Sequence, residues 1–176
     1  QHIVPDTVEL LPGGDYFISC DYGTLNPTRA GLWYLDTTGH ATRLREYYYS
    51  GRDGTPRTDE EHYKALEQLA GKHIDEIRAV IVDPSAASFI ACIRRHGRMR
   101  VKQADNSVLD GIRDTSVLLQ SGYLHFCSCC ADTIREFGLY RWNEKQSHDV
   151  VLKENDHAMD DMRYFVRTAM RRTIRQ

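Results

Sequence analysis

Two strand-like runs in this chain each close on an aspartate, and they constrain the fold more than any other feature. Tyr16-Phe17-Ile18-Ser19-Cys20 leads into Asp21, and Ala79-Val80-Ile81-Val82 leads into Asp83. The second run is apolar throughout, as in a strand covered on both faces, which calls for helices on either side of a sheet with parallel strands. The first opens a different pattern. Asp15 to Asp21, Ala30 to Asp36 and Ala41 to Tyr49 read as three strands, the last two joined by the polar-Gly turn Thr37-Thr38-Gly39-His40. Strands joined this closely run antiparallel, because a parallel return needs a crossover of a dozen residues or more.

Helical signals follow. Thr58 caps a helix, with Glu61 as its capping-box partner. Tyr63, Leu66, Leu69 and Ala70 recur at helical spacing, and Gly71 ends the run. Pro84-Ser85 begins a second helix that reaches about Arg95, and Val101 belongs to a short strand. Asn106 or Ser107 caps a helix carrying Val108, Ile112, Thr115, Leu118 and Leu119. Tyr123 to Phe126 reads as a strand and Cys130 to Phe137 as a short helix. Tyr140 to Asn143 and His148 to Leu152 read as a hairpin. The last helix starts at Asn155 or Asp156 and runs to about Arg172. The expected fold is therefore α/β, with a central mixed β-sheet (a three-stranded antiparallel start plus parallel strands) flanked by helices. This is the RNase H-like order; a doubly wound dinucleotide-binding fold does not begin with a meander.

The 176 residues suffice for one domain with a core, and no repeat, low-complexity stretch or linker divides them, so a single domain over 1–176 is expected. The start, Gln1-His2-Ile3-Val4, is neither a methionine start nor a signal peptide, which suggests a domain excised from a longer chain. No apolar run approaches the roughly 20 residues of a membrane helix. Net charge is −2 and the pI about 6.5, so any contact with DNA must come from local patches. The cysteine count is odd, and Cys127, Cys129 and Cys130 crowd together, which is a poor disulfide framework and fits a reducing compartment. With His125 nearby, zinc lacks a second Cys/His pair at finger-like spacing, so core filling is the stronger reading.

The acidic residues are more informative. Asp21, Asp83 and the pair Asp160/Asp161 are far apart in sequence, so only a fold can gather them. Gathered, they form an oxygen-rich pocket suited to one or two Mg²⁺ or Mn²⁺ ions, which can clamp both sides of a phosphodiester during in-line hydrolysis. Each also has a plainer role. Asp21 fits a turn with Gly23, Asp83 or Ser85 fits a helix cap, and Asp160 and Asp161 suit a helix N-terminus. His157, Asp160 and Asp161 can share one helix side. The apolar stripe Ala158, Met162, Phe165 and Ala169 lies nearer Asp161, so spacing alone favours Asp161 as the inward carboxylate. Arg94, Arg95, Arg98, Arg100 and Lys102 fall within nine residues, either to grip a phosphate backbone or as a solvated helix end. The phosphate-loop and nucleophile-elbow motifs are both missing from the sequence.

With these residues assembled, the chain resembles the C-terminal nuclease domain of the large terminase subunit of tailed double-stranded DNA bacteriophages, in the SPP1-like and prophage branch. The likeness runs from about Asp15 to Tyr164. Three stretches carry it: Phe17 to Pro27, Val82-Asp83-Pro84-Ser85-Ala86, and Lys153 to Tyr164. Ala104 to Ile112 and Glu136 to Trp142 add to it. The resemblance implies an RNase H-like endonuclease, largely sequence-nonspecific, that cuts concatemeric viral DNA during genome packaging. It implies Asp21, Asp83 and Asp160 as metal ligands, the third set by the His-x-x-Asp pattern, with His157 beside the metal as a catalytic residue. Asp161 departs from the family, where a small residue is common, and stands as an alternative ligand or outer-shell group. The implied partners are double-stranded DNA and, through the full-length chain with its ATPase motor, the small terminase subunit and portal protein. The implied setting is the host bacterial cytoplasm, with the isolated domain a monomer. The rival readings are an RNase H-like Holliday-junction resolvase or strand-transferase, and a non-catalytic domain that docks DNA or the portal.

Overall fold

The computed structural model describes residues 2–23, 27–51, 54–143 and 157–175, with the side chains of 138–143, 157 and 158 outside the description. The strands are β1 (Ile3–Val4), β2 (Asp15–Asp21), β3 (Thr28–Leu35), β4 (Ala41–Tyr49), β5 (Ile77–Val82), β6 (Val101–Gln103) and β7 (Leu124–Cys127). The helices are α1 (Asp59–Ala70), α2 (Ala87–His96), α3 (Val108–Gln120), α4 (Ala131–Asn143), α5 (His157–Ala169) and α6 (Arg171–Ile174), with a 3₁₀ segment over Gly71–Glu76. The strands form one sheet in the order β1-β7-β4-β3-β2-β5-β6. Antiparallel pairing joins β2 to β3 and β3 to β4, and every other neighbour is parallel. The meander expected at the start is present, with parallel strands added on both sides of it.

Side-chain alternation sorts the sheet into two faces. On β2, Ile18 and Cys20 join a cluster with Tyr63, Leu66, Phe89 and Ile93 of α1 and α2. Phe17 points the other way, into a cluster with Trp33, Met162, Phe165 and Val166. On β5, Val80 and Val82 serve the first cluster, and Ala79 and Ile81 the second. Period two therefore assigns Ser19, Asp21 and Asp83 to the face that α5 covers. Trp33 and Phe165 stack at 4.4 Å between centroids and fasten α5 to that face. Burying each ring contributes on the order of 1.5–3 kcal/mol.

Local signals explain the helix ends. The Thr58 hydroxyl accepts the Glu61 N–H at 3.2 Å, and Glu61 Oε2 accepts the Thr58 N–H at 2.8 Å, which is the expected capping box. Gly71 ends α1 at φ 55°, where a side chain would be strained. Two expectations change and one strand is added. Tyr140 to Asn143 close α4 rather than form a strand, and the hairpin's second half, His148 to Leu152, lies outside the described residues. The last helix breaks at Met170, which is why α6 is separate. The two-residue β1, paired with Phe126 and Cys127 of β7, has no signal in so short a run. Among the described residues, no helix is long and apolar enough to cross a membrane.

Candidate metal centre

Asp21 ends β2, and Asp83 follows β5 directly. These strands are parallel neighbours with Cys20 opposite Val82. The next residue on each chain is therefore an aspartate, side by side at the strand spacing of about 4.8 Å. Asp160 arrives from the first turn of α5, which packs on β2 and β5. Tyr164, one turn further along α5, registers all three. Its hydroxyl is held protonated, first by burial and then by the negative charges of Asp21, Asp83 and Asp160. All three aspartates are partly exposed, at a common rim of the sheet.

Each carboxylate has a distinct setting. Burial pushes the Asp83 carboxyl up, but hydrogen bonds from Ser85, Asn106 and Tyr164 outweigh it and hold the group below its ordinary value. The Ser85 N–H donates to Asp83 Oδ1 at 2.8 Å and Asn106 Nδ2 to Oδ2 at 3.1 Å. Asp83 thus closes a turn with Ser85, but neither residue caps the helix as expected, because α2 begins at Ala87 with Ala86 at its N-cap; the Asp83 carboxylate stays ionised. Asp160 accepts a hydrogen bond from Arg163, three residues on. That guanidinium is 4% exposed, and its Nε and Nη1 are buried with no hydrogen-bond partner. It packs over Gly111 of α3, where a Cβ would lie 3.2 Å from Arg163 Cδ. The oxygens of Asp21, Asp83 and Asp160 do not all come within 4.8 Å of one another. Like charges brought together repel, and Arg163 supplies a counter-charge to Asp160.

Asp161 is placed differently. It is 0% exposed and faces inward, as the helix stripe indicates. Its Oδ2 accepts from Arg43 Nη1 at 2.8 Å and from the Ser19 hydroxyl at 3.1 Å. Ser19 in turn accepts the Trp33 indole N–H at 2.9 Å. This buried network ties α5 to β2, β3 and β4 and fixes the helix turn that carries Asp160. His157 is the first residue of α5, but its side chain lies outside the described residues.

The five basic residues, all exposed, run from the end of α2 through the following loop to the edge strand β6. Arg95 pairs with Glu60 and Arg98 with Asp75, while Arg94, Arg100 and Lys102 stand along the same region. A groove of about 540 Å³ opens beside Asp83, lined by Pro84, Ala87, Ile90, Ala91, Arg94, Arg95 and Gln103. Cys127 and Cys130 are buried, as core filling requires, and Cys129 is exposed. Sequence reasoning gave no part in this centre to Tyr164, Arg163, Asn106, Ser19 or Arg43. Tyr164 was reachable, since it lies four residues from Asp160 on one helix side, and so was Ser19, two from Asp21 on a strand. Nothing in the sequence marks Arg43 as a buried charge.

The chain as a whole is similar to known proteins. The chain is 40% identical to the large terminase of the thermophilic bacteriophage D6E, crystallised with ADP, with a TM-score of 0.81 over 96% of this chain and 42% of that one. The P22 large terminase nuclease domain superimposes with a TM-score of 0.72 at 18% identity, over 99% of this chain and 93% of that domain. This chain resembles the nuclease domain of phage large terminases. Its seven-stranded mixed sheet with flanking helices is the RNase H-like fold of those domains. The large terminase subunit of Escherichia phage T5 is 25% identical over 174 residues, covering 90% of this chain and 39% of that protein. The SPP1 nuclease domain, solved with bound Mn, has a TM-score of 0.54 at 16% identity, over 86% of this chain and 85% of that one. No family model matches. The chain spans about two fifths of the D6E and T5 proteins.

Proposed function

We propose that this chain is the metal-dependent nuclease part of a phage large terminase, and that it hydrolyses DNA phosphodiesters during genome packaging. The observation that carries the reading is the placement of Asp21 and Asp83 at the adjoining ends of the parallel neighbours β2 and β5, under the helix α5 whose first turn carries Asp160. An all-oxygen, multiply negative donor set fits a hard divalent cation, so one or two Mg²⁺ or Mn²⁺ ions are the proposed cofactors. The Mn bound to the SPP1 nuclease domain supports a divalent metal in this fold. A bound ion of this kind supplies Lewis acidity toward a phosphoryl oxygen and a more acidic water.

The chain's own residues prepare the centre. Ser85, Asn106 and Tyr164 keep Asp83 ionised and aimed. Arg163 orients Asp160, and Asp161, with Arg43, anchors the turn from behind rather than acting as a ligand. His157, three residues before Asp160, is proposed to orient or shuttle a proton, a role that suits an imidazole. The groove leading away from Asp83, with Arg94 and Arg95 at its wall and Arg98, Arg100 and Lys102 beyond, is the proposed track for a DNA backbone. The proposed setting is the host bacterial cytoplasm, as one domain of a longer chain that also meets the small terminase subunit and the portal.

Nicking of supercoiled plasmid with Mn²⁺, Mg²⁺ or EDTA tests this. Metal-dependent nicking should be lost in Asp21→Ala, Asp83→Ala and Asp160→Ala and kept in folded Asp161→Asn. Preference for four-way junctions over linear duplex would instead favour a resolvase. A folded chain that neither cleaves nor binds a divalent ion would leave only the docking reading.

A further inference from the structure

Among the described residues, one group of three His, Cys, Asp or Glu ligand atoms lies within 4.8 Å of one another, and it is not at the aspartate centre. It consists of Glu60 on α1 and Cys92 and His96 on α2. We propose that Glu60, Cys92 and His96 form a second metal site, for a Zn²⁺-class ion, that ties α1 to α2.

The geometry is already close to a coordination sphere. Cys92 and His96 are one helical turn apart, so their side chains share a face of α2. Glu60 reaches across from the first turn of α1, with its Oε1 3.4 Å from Cys92 Sγ and its Oε2 2.7 Å from His96 Nε2. Donors at about 2.0–2.3 Å from a tetrahedral ion stand roughly 3.3–3.7 Å apart. One ligand atom from each of the three residues lies within 4.8 Å of the other two, and with Oε2 as the Glu60 donor the Glu–His pair has to widen by less than about 1 Å.

The surroundings hold each donor in place. The His96 ring stacks on Tyr63 at 3.8 Å with planes 6° apart. Cys92 is 0% exposed apart from its approach to Glu60, so its thiol has little freedom. Arg95 Nη2 sits 2.9 Å from Glu60 Oε1, leaving Oε2 for an ion while Oε1 keeps an outer partner. Glu60 and His96 are 48% and 37% exposed, so solvent can enter and a water can fill the fourth position.

The donor set chooses the ion. One thiolate, one imidazole and one carboxylate suit a borderline ion such as Zn²⁺ or Co²⁺ and not Mg²⁺, in contrast to the oxygen-only set at Asp21. On binding, the sulfur–metal bond forms as the S–H bond breaks and the thiol proton leaves to solvent. The Glu60–His96 hydrogen bond is exchanged for two metal–ligand bonds as the Nε2 proton leaves to solvent and the neutral ring keeps its proton on Nδ1. The site fastens the two helices around Tyr22, whose ring stacks on Phe89 of α2 at 4.5 Å and whose hydroxyl donates to Asp59 of α1. Tyr22 is the residue after Asp21, so the site would stiffen one flank of the aspartate centre without taking part in it.

Titrating the reduced chain with Co²⁺ tests the proposal, because thiolate coordination gives a sulfur-to-cobalt charge-transfer absorption that carboxylates cannot give. Asp21→Asn/Asp83→Asn serves as background, so that failure of the nuclease reading leaves the result unaffected. One equivalent should develop the band, and Zn²⁺ should abolish it by competition. Cys92→Ser should remove the band, His96→Ala should weaken binding at least tenfold, and Cys129→Ser should leave it unchanged. Zn²⁺ should also raise the unfolding temperature of Cys129→Ser but not of His96→Ala, a surface change that spares the core if Cys92→Ser folds poorly. No charge-transfer band at stoichiometric Co²⁺, or a band that survives in His96→Ala at full affinity, would overturn it.

Discussion

Arg43 Nη1 lies 2.8 Å from Asp161 Oδ2, with the two side chains 1% and 0% exposed. The pair joins β4 to the first turns of α5 across the sheet face. Burial pushes the Asp161 carboxyl up, while Arg43 and the Ser19 hydroxyl pull it back. The Arg43 guanidinium also reaches the Ala30 carbonyl at 3.3 Å and sits over the Trp33 ring at 5.3 Å. Removing Asp161 leaves the buried Arg43 with only the longer 3.9 Å approach to Glu46, so Asp161→Ala should cost about 3 kcal/mol. Replacing both, as Arg43→Met with Asp161→Leu, should recover most of that loss. Urea unfolding of the two single variants and the pair measures the coupling; additive losses would show that the pair does not interact.

Gly31 on β3 lies under the same guanidinium, and a Cβ there would overlap Arg43. Gly31→Ala should destabilise the fold by about 1–3 kcal/mol through overpacking. The loss should shrink in an Arg43→Met background, where a flexible apolar chain can yield. Equal losses in both backgrounds would mean the strain lies elsewhere.

In the absence of divalent ions, gathered carboxylates repel. Asp21→Asn should therefore unfold at the same or a higher temperature than the parent chain in EDTA. It should also lose most of the stabilisation that Mn²⁺ gives the parent, since an ion that binds only the folded state stabilises in proportion to its affinity. Differential scanning fluorimetry with and without Mn²⁺ reads both effects, and equal Mn²⁺ stabilisation of variant and parent would remove Asp21 from the ligand set.

Asp105 holds Arg167 at 2.9 Å and Arg171 at 3.2 Å and accepts the Ser107 hydroxyl at 2.6 Å. The Ser107 hydrogen bond is the chief reason its carboxyl sits below the ordinary value of 3.8, against a smaller opposing effect of burial. A depressed folded-state value means the stabilisation is present above about pH 4 and lost as pH falls through the lowered value. Asp105→Asn should cost about 1 kcal/mol at pH 7 and progressively less as pH falls below about 4. Thermal unfolding across that range checks the sign; a variant that loses more at low pH would contradict it.

Thr58→Ala removes the hydroxyl that accepts the Glu61 N–H and leaves the first turn of α1 one partner short. The expected loss is about 1 kcal/mol, with faster amide exchange confined to that turn. A loss that spreads to α5 would mean the cap serves more than its own helix.

Much of the fold was legible because its signals are local. The β2 and β4 boundaries, the Thr58 capping box, the Gly71 stop and the antiparallel start all follow from periodicity and capping within a few residues. Tyr140 to Asn143 misled because their aromatic content suits a strand, whereas α4 simply continues through them. The break at Met170 was invisible because the helical pattern runs on past it.

The same division applies to the aspartate centre. Strand alternation in the sequence fixes Asp21 and Asp83 on the face shared with Phe17 and Ile81, because a period of two leaves them no other side. It also fixes Asp161 as the inward member of its pair. Only the tertiary structure decided that β2 and β5 are neighbours in a register that sets the two aspartates side by side, and that Arg43 lies buried against Asp161. Register and buried charge pairs depend on residues 60 to 120 positions apart, as the separation of 118 between Arg43 and Asp161 shows. No local periodicity reports such a contact, since its free energy exists only once the intervening chain has packed.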